Sequence, residues 1–103
     1  MVLTILEHVD NCHSMDNGET IAKLIKTHLD HNQSVQISFK GVDLVSSSFI
    51  NTSLIALLDS YSFDTIRSKI NFINTTRFIN ELIKSRFQSA NRSQSSPPEY
   101  VSS

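Results

Sequence analysis

"VQISFKGVDLVSSSFINTSL", residues 35–54, decides how this chain folds. Val35, Ile37 and Phe39 alternate with Gln36 and Ser38, which is the period of a strand. Lys40 and Gly41 end that strand, and Val42, Leu44 and Val45 are expected to lead the chain back to the core. Beyond Ser46, Ser47 and Ser48, the apolar residues Ile50, Leu54, Leu57, Leu58 and Tyr61 fit one stripe of a helix. A serine at such a handover from strand to helix is a nucleophile, a phosphate acceptor or a cap.

The flanks repeat the alternation. Residues 2–9, "VLTILEHV", read as a strand, and residues 10–17, "DNCHSMDN", as a polar loop. A helix follows, with Asp16 and Glu19 at the spacing of a capping box and Ile21, Leu24, Ile25 and Leu29 on one face. Asn32 and Gln33 break it. Downstream, "KINFIN" at 69–74 reads as a strand. "TTRFINELIKSRF" at 75–87 reads as a helix with Phe78, Ile79, Leu82, Ile83 and Phe87 on one face. Thr75 and Thr76 are its candidate caps, and Lys84 and Arg86 are placed in its last turn, where positive charge suits the dipole. Tyr61 and Phe63 are read as the end of the middle helix, packed in the core or at its rim. The order βαβαβα argues an α/β fold with a single layer of about three to four mostly parallel strands and right-handed crossovers. Residues 88–103 are rich in serine and hold both prolines, so the domain is expected over 1–87 with a disordered tail at 88–103.

The composition narrows the function. One domain is expected from 103 residues. A net charge of -1 with 18% charged residues gives no electrostatic case for a nucleic-acid or membrane partner. The single cysteine, Cys12, permits no disulfide within the chain. With no basic start, no signal-peptide core and no long apolar run, a cytoplasmic protein is expected. Gly18 and Gly41, the two glycines, lie far apart, so no phosphate-binding loop and no cofactor are expected. There is no Gly-x-Ser-x-Gly elbow, and all four histidines precede the triple serine. A non-enzymatic role is therefore expected. His8, Cys12, His13 and Asp16 lack the paired spacing of a zinc site and read as a solvated loop. His8, Cys12 and His13 are also the residues an alternative metal protein or enzyme would use. His28 and His31 read as surface residues.

The stretch 35–54, extended by "GETIAKLIKTHL" before it and "KINFINTTRFINELI" after it, resembles the STAS-like domains over roughly residues 15–87. This group is related to the anti-sigma-factor antagonists, whose corresponding loop reads Asp-Ser-Ser/Thr-Gly-Leu. There the first serine is phosphorylated by a kinase that is also the anti-sigma factor. Laid on this chain, the Asp falls on Ser46, the phosphoacceptor on Ser47, the next hydroxyl on Ser48 and the Gly on Phe49. Two positions depart: Ser46 removes the acidic neighbour, and Phe49 puts a ring where a partner would approach. The Ser-Ser-Phe form is typical of the STAS-like group, which also often has Asp where this chain has Ser38. The resemblance implies a regulatory protein-interaction module of a bacterial or phage cytoplasm. Its partner would be of the histidine-kinase-like ATPase class. The implied contact surface is Ser46, Ser47, Ser48, Phe49, Asn51 and Thr52, with Phe49 as anchor and Ser47 as the candidate phosphorylation site. From the residues alone, the serines are helix caps first and contacts second. A homodimer paired through strand 69–74 is a further alternative.

Overall fold

Alternate residues of three short strands fix the layers. In the computed structural model of the chain, residues 2–95 are described. Strands β1 (Val2–Thr4), β2 (Val35–Ser38) and β3 (Ile70–Ile73) pair in parallel in the order β1-β2-β3. The register sets Leu3 opposite Ile37 and Ile37 opposite Phe72, and this row faces the core. Val2, Gln36 and Asn71 form the adjacent row and are exposed. The sheet thus buries one face against the helices and leaves the other largely polar and open. Parallel sheets usually have both faces covered.

Among the described residues, four α-helices complete the domain: α1 (Met15–Asp30), α2 (Ser47–Ser53), α3 (Phe63–Lys69) and α4 (Arg77–Ser95). The α/β alternation expected from the sequence is present, with differences that have physical causes. The first strand is shorter than residues 2–9: after Thr4 the chain tightens into a 3-10 turn at Ile5–Glu7, with the His8 and Val9 amides donating to the Ile5 carbonyl. The cap of α1 is Ser14, whose Oγ accepts from the Asn17 amide at 3.1 Å, rather than Asp16. The helix ends in a Schellman motif. Asn32 takes φ 59°, its amide donates to the Leu29 carbonyl, and the Gln33 amide donates to the His28 carbonyl.

The middle helix does not run to Tyr61. Thr52 Oγ1 donates to the Ser48 carbonyl and Ser53 Oγ to the Phe49 carbonyl, back-bonding of the kind that bends helices. After Ser53 the chain tightens to a 3-10 turn at Ile55–Asp59, and α3 starts afresh behind the cap Ser62. Phe63 therefore begins a helix, and its ring meets Phe87 with centroids 5.8 Å apart. In α4, Thr76 caps, its Oγ1 accepting from the Ile79 amide at 3.1 Å. Ile79, Ile83 and Phe87 are buried, but Phe78 lies off that face and is exposed. The helix continues past residue 87 to Ser95, so Lys84 and Arg86 stand in its middle, and Ala90 still packs against the core. The part of the expected tail at 96–103 lies outside the described residues. Among the described residues, no helix is long and apolar enough to cross a membrane.

Candidate functional site

The carboxyl ends of β1 and β2 open into two loops, and both loops meet at Ser46. Its amide donates to the Cys12 carbonyl at 3.0 Å, and its Oγ donates to the His13 carbonyl at 3.0 Å. The same Oγ accepts from the Phe49 amide at 3.1 Å, which makes Ser46 the N-cap of α2. One serine thus starts the helix and fastens the loop after β1 to the loop after β2. The turn before it is made by Gly41, at φ 83°, where a side chain would be strained.

The six residues proposed for a contact surface divide into two sets. Ser47, Ser48 and Asn51 are exposed on the first turn and a half of α2. Ser46 is half-buried and spent on the cap. Phe49 is 0% exposed and fills the core, so its ring is not an anchor for a partner. The helix turns position 49 inward, toward Ile50 and Leu54 of the same apolar cluster. Thr52 is half-buried against α1, its hydroxyl returned to the backbone. The α1–α2 contact is close because Gly18 leaves room for it: a Cβ there would lie 1.8 Å from Thr52 Oγ1 and 2.9 Å from the Phe49 carbonyl oxygen.

Burial also explains the departures from the antagonist pattern. Ser and Asp are both strong N-cap residues, so Ser46 replaces one cap by another. Phe49 points inward and leaves the hydroxyls of Ser47 and Ser48 open to approach. Ser38, where the group often has Asp, is buried. Its Oγ accepts from the Asn74 side-chain amide at 2.9 Å and the Lys40 amide at 3.3 Å, so the hydroxyl takes the acceptor's part there.

The loops before α1 and α2 also carry exposed apolar residues. Leu44 was expected to turn inward, but Val42 and Val45 on either side of it take the buried positions and Leu44 is 63% exposed. With Leu6 it lines a shallow pocket of about 300 Å³ between the two loops. Met15, also exposed, opens α1 one residue after its cap. Cys12 is buried beneath this pocket, and desolvation pushes its thiol up to about 11. A neutral, buried thiol is a poor metal ligand. Among the described residues, no three His, Cys, Asp or Glu side chains converge to hold a metal ion. His28 and His31 lie at the end of α1, bonded to Gln33 Oε1 and the Thr27 carbonyl.

The profile of the family described as STAS-like domain of unknown function (DUF4325) matches residues 17–80. The chain belongs to this STAS-like family. No curated protein and no solved structure matches it. The family match takes in the strand-to-helix turn, the α1–α2 contact and β3, and it ends inside the first turns of α4. Two features of this STAS-like domain escaped sequence reasoning. One is α3, whose cap signal Ser62 with Asp64 in the first turn was available. The other is Gly18, a glycine inside a helical pattern, which signals close approach of another backbone.

Proposed function

We propose that this STAS-like domain is a non-enzymatic regulatory module that a partner of the histidine-kinase-like ATPase class contacts at Ser47, Ser48 and Asn51, with Ser47 as the hydroxyl such a kinase would modify. One observation carries the reading: the neighbouring Ser46 is consumed by capping and loop fastening, while Ser47, Ser48 and Asn51 stand exposed on α2 and Leu44 is exposed on the loop that leads into it. Solvent-facing apolar residues beside polar groups that the fold does not need are the makings of an interface. The module has no need of a cofactor or metal to act in this way.

Calorimetric titration of the purified ATPase against this domain tests the reading. Ser47→Asp and Asn51→Ala are expected to weaken binding at least tenfold while the melting temperature stays within a few degrees. Unchanged binding by both variants would remove the turn from the interface.

A further inference from the structure

A second surface lies away from the serine turn, along the outer edge of β3. There α3 and α4 flank a groove of about 800 Å³. Phe63 and Ile66 from α3, Phe72 from β3 and Phe87 from α4 supply its apolar lining. The charged side chains that line it are Arg67 and Lys84, both cations. Arg67 stacks over the Phe63 ring at 5.9 Å and meets Asp64 only at 3.8 Å, in a pair that is almost wholly exposed. Such a pair is weak and exchangeable. Lys84 has no ion pair among the described residues.

The floor of the groove has a further property. The Phe39 amide donates to the Ile73 carbonyl, so Ile73 turns its backbone toward β2. Backbone direction alternates along a strand, so Phe72 turns its N–H and C=O to the open side, away from β2. In the order β1-β2-β3 no strand covers that side among the described residues. An edge strand of this kind accepts an extended segment as an added strand.

We propose that this groove receives an extended segment of a partner protein that carries both acidic and apolar side chains. It docks beside β3 with its carboxylates on Arg67 and Lys84 and its apolar side chains between Phe63, Phe72 and Phe87. The charge of the lining selects the occupant: an apolar cleft with two cations and no lining carboxylate favours an acidic strand over a basic one. This surface is separate from the serine turn, and Lys84 and Phe87 lie beyond the family match at 17–80.

The test uses the full chain and two synthetic labelled hexapeptides, one alternating Glu with Val and Phe and the other with Lys in place of each Glu. Fluorescence anisotropy at low and physiological salt gives both affinities. The expected result is at least tenfold tighter binding of the acidic peptide, weakening with salt. Lys84→Glu and Arg67→Glu should each cost about tenfold, and Lys23→Glu on the exposed side of α1 should cost nothing. Amide shifts on adding the acidic peptide should centre on residues 70–73. Equal affinity for the two peptides, no binding, or shifts centred on 44–51 would overturn the proposal. So would binding that appears only after residues 96–103 are deleted, which would assign the groove to the chain's own end. A concentration-dependent doubling of mass, abolished by Lys84→Glu, would assign the groove to a second copy and also overturn it.

Discussion

Ser46 and Ser47 are adjacent and chemically identical, yet their surroundings give them different work. Ser46 Oγ makes one bond to the Phe49 amide and one to the His13 carbonyl, so its loss removes both the cap and the fastening of two loops. Ser46→Ala is expected to cost about 1–2 kcal/mol in urea unfolding, the upper part of the range for N-cap substitutions. Ser47→Ala and Ser48→Ala, at exposed positions, should each stay within about 0.5 kcal/mol. A larger loss at Ser47 than at Ser46 would mean that the cap had been placed one residue too early. The sequence shows that one hydroxyl of the three caps a helix, but which one depends on where the helix begins, and helix starts are read from sequence only to within a residue or two. The inward turn of Phe49 has the same origin. Its direction follows from the phase of α2, and the phase follows from the start.

At the scale of elements, the contact between α1 and α2 is set by Gly18. Alanine there would raise intrinsic helix propensity by about 1 kcal/mol. Its Cβ would meet Thr52 Oγ1 at 1.8 Å and the Phe49 backbone oxygen at 2.9 Å, and a backbone atom cannot swing aside. Gly18→Ala is therefore expected to destabilise by about 1–3 kcal/mol, as overpacking does. Thermal unfolding measures it, and a gain in stability would show that the two helices are farther apart than described. The periodic elements α1, β2, β3 and α4 were legible because hydrophobic period alone defines them. The stretch 52–69 was not: a stripe from Ile50 to Tyr61 fits one helix, but Thr52 and Ser53 bond back to their own backbone and divide it. Hydropathy does not record such local competition. Leu44 was misplaced for a related reason, since its side chain faces out where the chain turns and no period applies.

For the whole molecule, burial and hydrogen bonding make stability fall at alkaline pH. Cys12 is raised from 9.0 to about 11 by desolvation, so above about pH 9 the unfolded chain gives up a thiol proton that the folded chain keeps. Tyr61 is raised from 10.0 to about 12, first by its hydrogen bond to Asp30 on α1 and then by burial and the Asp30 charge. It acts in the same sense between those values. This contribution is fully present below about pH 9 and is lost as pH rises toward 12. The urea midpoint is expected to be lower at pH 11 than at pH 8, and Cys12→Ala should flatten the first part of the decline. An unchanged midpoint would show that neither Cys12 nor Tyr61 holds its proton more tightly in the folded chain than in the unfolded one. The βαβ order and the family were legible across the chain because they rest on repeated patterns. The two-layer arrangement, with Val2, Gln36 and Asn71 exposed on an open sheet face, needed the strand register. The most direct test of the proposal that the domain is a module read at its serine turn is site-specific photo-crosslinking in the native host. A benzophenone amino acid is placed at Ser47 and, separately, at Lys23. The expected result is a crosslinked histidine-kinase-like ATPase from position 47 and none from position 23. Crosslinking of that ATPase from position 23 but not from position 47 would contradict the assignment of the partner surface to the turn.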